Sequence, residues 1–272
     1  KTFTEDSTPR WNGGVQTAAQ GAQEVAAPEM QSLAAYTPPQ AGKVATHKYN
    51  PATKTWDPAA TGATHVPGHY QANAGLIVTS SGTRTKLLDS AGIVVHEIDT
   101  ATGNVISSML VDKDSGAAIN PLKESAVFDR REYSSATDSA TAGKVKVIDI
   151  DVAKLNKSKR NDTNQLIFRT DTNGLILYAY RTDTTATDPR GVRLYNGTEL
   201  NNKLTFVSED PVYIKGNFNT VNKKGAAIMC DATNLLSNEW NDGKTSSSGL
   251  PAPSTDLEIN AAIVTGAYET LQ

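Results

Sequence analysis

Four charged residues in the second half of the chain are the main candidates for catalysis. Asp149 and Asp151 lie two apart in an apolar run, and Arg190 and Arg193 follow in a later one. Residues two apart on a strand point to the same face, so the two carboxylates would be neighbours, as in enzymes that act on carbohydrates. Asp151 also directly precedes the segment VAKLN, where an Asp is typical of a helix N-cap. Because no Glu, His or aromatic cluster accompanies the pair, we favour capping over catalysis.

Two histidines, His65 and His69, have the spacing that places two metal ligands on one face of a helix. Pro67 and Gly68 lie between them and disfavour a helix. No Asp, Glu or third His follows closely. We therefore predict surface histidines without a metal, with half a metal site in a loop as the alternative.

A second metal-like pattern begins at Asp112, where Asp114 and Gly116 continue the start of a calcium loop. The pattern fails at its sixth position, where Ala117 replaces the required Gly, and at its twelfth, where Lys123 replaces Glu. An ordinary turn is the prediction here. We predict no cofactor, no metal and no catalytic residue anywhere in the chain.

The only cysteine, Cys230, lies in the apolar run AAIMCDA. A single cysteine excludes an intrachain disulfide. We predict a buried structural thiol, since a nucleophile would need a lowered pKa and a nearby base. Lack of disulfides is typical of the cytosol, but a surface protein with a large core needs none, so the compartment stays open.

Three tryptophans, Trp11, Trp56 and Trp240, are available for stacking on sugar rings, which would suit a sugar-binding module without catalysis. Buried tryptophans are commoner. Trp240, between Asn238 and Asn241, has the alternative role of closing a corner.

Composition indicates many strands joined by many turns. Of 272 residues, 38% are hydrophobic and 6% aromatic, while turn-forming residues fill much of the rest. The net charge of −3, without a dominant Lys/Arg stripe, favours neither nucleic acid nor acidic membranes as partners. No apolar run is long enough to span a bilayer.

The stretch 204–240 sets the expected architecture. Short apolar runs at Leu204–Val207, Val212–Ile214, Ala226–Met229 and Leu235–Leu236 are separated by turn-forming steps. Such runs suit coils of a solenoid or strands of a sandwich. We predict an all-β protein with a β-helix-like solenoid in its C-terminal half, so that AAIM at 226–229 and AAIV at 261–264 would pair in parallel.

Hairpins are predicted in two places. GIVVHEID and NVISSMLVD flank the Gly-containing connection from Asp99 to Asn104. Further along, Asn173-Gly174 reads as a type I′ turn between strands Leu166–Thr170 and Leu175–Arg181. GLIVTS, from Gly75, supplies an earlier strand.

Three parts are expected: an extended arm over 1–45, a β-rich part over 46–140, and the solenoid-like part over 141–272. One short helix is predicted within 25–36 and another near 151–156; a disordered leader is the alternative for the arm. The arm, or the strand INAAIVTG, would contact a neighbouring subunit and give a homo-oligomer or a head-to-tail filament. A monomer capped by its own arm is the alternative.

Several sequence segments occur in a fixed order: FDRRE with IDIDVAKLN, then GVRLYNGTEL, LTFVSEDPVYIKGNFNT, AAIMCDATNLLSNEWND and INAAIVTG. Together they resemble a bacterial family of pilus-assembly (PilX-like) and pseudopilin-associated surface proteins. The resemblance covers roughly residues 126–266, whereas 1–125 match only loosely.

The resemblance implies an exported, extracellular or cell-surface protein with a β-rich body, tethered by an apolar N-terminal helix and working with other pilus or envelope proteins. The printed chain lacks that helix and the family's Gly-Gly and Pro-Arg-Phe-rich closing segment, so we expect a longer native product at both ends. The family supplies no catalytic residues to carry over. A non-enzymatic structural or adhesive protein is the function we favour, and a carbohydrate-active or carbohydrate-binding β-helix is the alternative.

Overall fold

The computed structural model describes residues 47–50, 55–58, 69–129, 143–170, 173–184, 190–245 and 255–265. Strands dominate these residues, and two short helices accompany them, so the prediction of an all-β protein is confirmed. The helices are α1 (His69–Ala72) and α2 (Val152–Lys157). The strands are β1 (His47–Asn50), β2 (Thr55–Pro58), β3 (Leu76–Ser80), β4 (Arg84–Asp89), β5 (Val94–Asp99), β6 (Val105–Ser108), β7 (Leu110–Asp112), β8 (Leu122–Phe128), β9 (Lys144–Asp151), β10 (Ser158–Arg160), β11 (Leu175–Arg181), β12 (Arg190–Tyr195), β13 (Leu204–Ser208), β14 (Val212–Lys215), β15 (Ala226–Met229), β16 (Thr233–Leu236) and β17 (Ala262–Val264).

Two sheets carry the fold. The larger has eight strands in the order β17-β15-β13-β11-β3-β4-β5-β6, and the smaller has five in the order β16-β14-β12-β9-β8. Two further pairs, β7 with β10 and β1 with β2, are antiparallel.

From β11 onward the chain alternates between the two sheets, and successive strands within each sheet pair in parallel. The predicted pairing of AAIM with AAIV is confirmed, because β15 and β17 are parallel, with Ala227 opposite Ala262. From β3 to β6 the pairing is antiparallel. The Asp99–Asn104 hairpin is also confirmed: the Asp99 N–H donates to the Asn104 carbonyl.

The main core lies between the sheets. Leu177, Phe206 and Ile228 of the larger sheet join one apolar cluster with Ile150 and Leu194 of the smaller. Burial of each such side chain contributes about 1.5–3 kcal/mol. Alternate residues of the same strands are buried on the outer faces, which accounts for apolar runs rather than strict alternation.

The predicted hairpin over Leu166–Thr170 and Leu175–Arg181 is wrong. Leu166 makes only an isolated bridge to Lys159, and β11 is flanked by β3 and β13, both parallel to it. A strand buried on both faces at the centre of a sheet takes its two neighbours from distant parts of the chain, and no local turn signal reports them.

The helix predicted near 151–156 is confirmed as α2, with Asp151 as its N-cap. The helix α1 and the strand β4 were not predicted; β4 carries Arg84, Lys86 and Asp89, and its apolar residues are limited to Leu87 and Leu88. The helix predicted within 25–36, and the whole arm over 1–45, lie outside the described residues. None of the described helices is long and apolar enough to cross a membrane.

Candidate functional site

Asp149 and Arg193, two of the four charged candidates, meet on the outer face of the smaller sheet. They are direct partners across the parallel strands β9 and β12. Arg193 donates from Nε and Nη2 to the two oxygens of Asp149, at 2.7 Å each. The Asp149 side chain is 0% exposed and that of Arg193 3% exposed. A bidentate pair of this kind fixes both groups in orientation.

Three more side chains complete this group, which we call the Arg193 cluster: Lys123, Ser125 and Asp242. Arg193 donates to both oxygens of Asp242, at 2.6 and 3.0 Å, and to Ser125 Oγ at 2.8 Å. Lys123 Nζ lies 3.6 Å from Asp149 Oδ2. Every oxygen of the two carboxylates therefore faces a cation.

Arg193 and Asp242 are held in their charged forms. Burial lowers the pKa of Arg193, but hydrogen bonds to Asp149 and Asp242 raise it by more, so the guanidinium stays charged. Burial raises the pKa of Asp242, and the hydrogen bond and charge of Arg193 lower it by more. A carboxyl with a lowered pKa is a poor proton donor near neutral pH, so this geometry suits an ion-pair clamp rather than general acid catalysis.

Asp242 reaches the cluster on the segment that follows β16, together with Trp240. The Trp240 indole N–H donates to Asp242 Oδ1 at 3.2 Å, and its ring packs on an apolar cluster that includes Val147 and Tyr213. Lys244 Nζ lies 5.8 Å from the ring centroid. Trp240 thus packs this segment against the sheet. This packing matches the corner-closing role that was given as the alternative to stacking on a sugar ring. Trp11 and the Trp56 side chain lie outside the described residues.

Asp151, the third candidate, caps α2. Its Oδ1 accepts the Lys154 N–H at 3.1 Å, and its Oδ2 accepts from Asn196 Nδ2 at 3.1 Å. The capping interpretation is confirmed. Burial, followed by the charge of Asp151, also raises the pKa of the neighbouring Tyr195 hydroxyl.

Arg190, the fourth candidate, belongs to a second buried group where the strands of the larger sheet end. Its Nη1 donates to Asp183 Oδ2. Arg181, fully buried in its side chain, donates to Asp183 at 2.9 Å and to Glu124 at 2.7 Å. The sequence placed Arg181 only as the last residue of the predicted strand Leu175–Arg181, and its position as a lone charge in an apolar strand was the available signal.

Asp210 lies against this second group and is 5% exposed. Its Oδ2 accepts the Arg181 backbone N–H at 2.8 Å, and its Oδ1 accepts from the Thr184 hydroxyl at 3.2 Å. Burial, reinforced by the charge of Glu209, raises the pKa of Asp210 to about 7. Such a value is typical of acid–base residues, but here both oxygens are bound within the fold.

Cys230 is confirmed as a buried thiol. It is 0% exposed, and its Sγ contacts Thr233 Oγ1 at 3.0 Å. Burial raises its pKa, which favours the unreactive thiol.

The calcium-like pattern is confirmed as a turn: Asp112 Oδ1 accepts the N–H groups of Asp114 and Ser115, at 2.8 and 2.9 Å. His65 and the side chain of His69 lie outside the described residues. Within the described part of the chain, no three His, Cys, Asp or Glu side chains are grouped closely enough to hold a metal ion.

A cleft of about 350 Å³ opens where β12 and β14 end. It is lined by Tyr195, Asn196, Thr198, Lys215, Gly216, Asn217 and Asn238. Lys123 Nζ lies 5.2 Å from the centroid of the Tyr195 ring. An aromatic ring, amide groups and an ammonium together suit a hydroxyl-rich ligand.

Comparison with known proteins gives no relative: no protein-family model, no curated protein and no solved structure matches this chain.

Proposed function

We propose that this chain is a non-enzymatic structural or adhesive protein of the bacterial cell surface, the exposed part of a pilus- or secretion-filament-associated protein. The strongest support is that all four charged candidate residues are bound to other groups inside the fold. Asp149 and Arg193 bind each other, Asp151 caps α2, and Arg190 binds Asp183. Groups held in this way stabilise a body and leave no free acid, base or nucleophile among them.

The body is proposed to be a solenoid in the C-terminal half. Support comes from the alternation of β11 to β17 between two parallel-paired sheets, so that each coil contributes one strand to each. Asparagines at the corners between strands also support the solenoid. Asn196 and Asn219 take positive φ, which asparagine tolerates, and the Asn217 N–H donates to Asn238 Oδ1 of the next coil at 3.0 Å.

The surface location is proposed from the resemblance of residues 126–266 to PilX-like proteins. Antibodies against the chain give the test. On intact source cells treated with protease, we expect the protein to be cleaved while a cytosolic marker survives, and shearing should release it with surface filaments. A protein that is cleaved only after lysis would overturn the proposal.

Carbohydrate binding is the second candidate, and the cleft beside Tyr195 is the observation that favours it. Titration with bacterial and host polysaccharide fragments, followed by calorimetry, tests it. Lys215→Ala should weaken binding because Lys215 is the lysine that lines the cleft, whereas Lys224→Ala, at an exposed position outside the lining, should not. Equal binding by both variants would remove the cleft as the site.

A further inference from the structure

Large apolar side chains are exposed at few places in the described residues, and most of these places are edge strands. Val105 and Ile106 lie on β6, Leu235 lies on β16 and Ile263 lies on β17. Of the six large hydrophobic residues that are exposed in the described part of the chain, only Ile93 and Val221 lie outside strands. Exposed apolar residues concentrated on sheet edges indicate contact surfaces.

The two ends of the larger sheet are β17 and β6, and each has one hydrogen-bonded neighbour strand among the described residues. Natural edge strands are usually protected by charged residues or proline. The sequences AIV of β17 and VISS of β6 contain neither. Both edges therefore lack these two protections, and what protects them is their short length, three residues in β17 and four in β6, with a register shift beside β6.

At the β17 end, Ile263 belongs to the core-facing side of the sheet, because it pairs in regular register with Ile228, a member of the main core. At the β6 end, Val105 lies opposite Ile98 where the register between β5 and β6 shifts, and both Val105 and Ile106 are exposed. Leu235, on the smaller sheet, pairs with the core residue Ile214. Ile263 and Leu235 thus continue the core at the end of the stack, where no described strand follows them.

Strand directions fix how a second copy would fit. β17, β15, β13, β11 and β3 are parallel, and β4, β5 and β6 then alternate in direction. β6 consequently runs opposite to β17. A copy displaced along the sheet, without rotation of its faces, would present its β6 antiparallel to β17, a favourable pairing.

We propose that copies of this chain join head to tail by antiparallel pairing of β17 of one copy with β6 of the next, which brings the exposed Val105 and Ile106 of β6 next to the exposed Ile263 of β17. Two different surfaces meet in such a contact, so repetition gives a linear or ring-shaped assembly rather than a closed two-fold dimer. The inference deepens the proposed function and rests on it for the biological setting only.

Complementary variants give the test. Val105→Lys and Ile263→Lys each place a charge on one edge at an already exposed position, and each should abolish self-association measured by sedimentation velocity over a concentration series. Wild-type protein should increase in mass with concentration. Ile93→Lys, exposed but in the connection between β4 and β5, is the matched control and should assemble as wild type does. Circular dichroism and thermal unfolding of each variant confirm that it is folded.

Mixing the two edge variants is the decisive step. The Val105→Lys copy keeps an intact β17 and the Ile263→Lys copy keeps an intact β6, so an equimolar mixture should form dimers and nothing larger. Self-association of Val105→Lys alone would instead indicate β17–β17 pairing and overturn the proposal, as would a wild-type chain that remains monomeric at every concentration. A monomer that is exposed on cells refutes this inference alone; an assembling protein that stays inside cells refutes only the proposed function.

Discussion

Asp149 and Arg193 face each other across two parallel strands that approach from different parts of the chain, and they form a buried two-point ion pair on the outer face of the smaller sheet. Trp240 and Asp242 cover this pair from the segment after β16. The pair therefore joins β9, β12 and that segment in one place. Removal of Arg193 would leave the buried Asp149 without its two-point partner, whereas removal of Asp149 would leave Arg193 bound to Asp242.

Asp210 should make stability depend on pH. Its pKa is about 7 in the folded chain against an ordinary value of 3.8, so the folded state holds a proton that the unfolded state releases. The contribution of Asp210 to the free energy of unfolding is fully present below about pH 4 and is lost as the pH rises to about 7. In urea titrations from pH 4 to 8, Asp210→Asn should gain stability relative to wild type up to pH 7, by a few kcal/mol at most, and then keep a constant difference.

The matched control for that experiment is Asp256→Asn, which changes an exposed carboxylate and should alter stability only slightly. A wild-type minus Asp210→Asn difference that stays flat across the same range would contradict the buried, protonated Asp210.

Gly191 should not tolerate a side chain. A Cβ there would lie 2.6 Å from the Pro211 carbonyl oxygen and 3.0 Å from Tyr213 Cε2, so β12 and β14 would have to separate. Gly191→Ala should lower the free energy of unfolding by about 1–3 kcal/mol, as overpacking does. Gly225→Ala, whose Cβ would meet only the flexible Lys203 side chain at 3.7 Å, should cost less than about 0.5 kcal/mol. Equal losses in the two variants would contradict the close strand approach.

Cys230 should resist alkylation in the native protein and react after unfolding. It is fully buried and its pKa is raised, so labelling at pH 8 requires an opening of the structure. A Ser90→Cys variant adds an exposed thiol as an internal reference. Mass spectrometry should show the added thiol labelled at least about a hundredfold faster. Comparable rates would mean that Cys230 is accessible.

Local features of the sequence predicted local structure. Asp151 before an apolar-periodic segment gave the N-cap of α2, and Asp99 with Gly103 gave the hairpin before β6. Cys230 in an apolar run gave its burial. Each depends on a few adjacent residues, whose turn and capping preferences are strong enough to decide the outcome.

Strand pairs and ion pairs between residues that are distant in the sequence could not be predicted from it. The Asn173-Gly174 step is followed by a strand that pairs with β3 and β13, because burial of both faces of β11 outweighs the turn preference. Asp242 stands in a polar stretch far from Arg193, and only the fold brings them together. The pairing of Arg193 with Asp149 likewise depends on the register of β9 and β12.

A double-mutant cycle on Asp149 and Arg193 tests most directly the claim that the charged candidates stabilise the body rather than catalyse a reaction. Arg193→Met alone should lower the free energy of unfolding by about 3–5 kcal/mol, since it leaves Asp149 buried with only Lys123 as a nearby cation. Asp149→Leu alone should cost less, because Arg193 keeps its hydrogen bonds to both oxygens of Asp242. The double variant should lose far less than the sum of the two. Full additivity, or single variants as stable as wild type, would contradict this structural role. Asp149 and Arg193 would then again be candidates for catalysis.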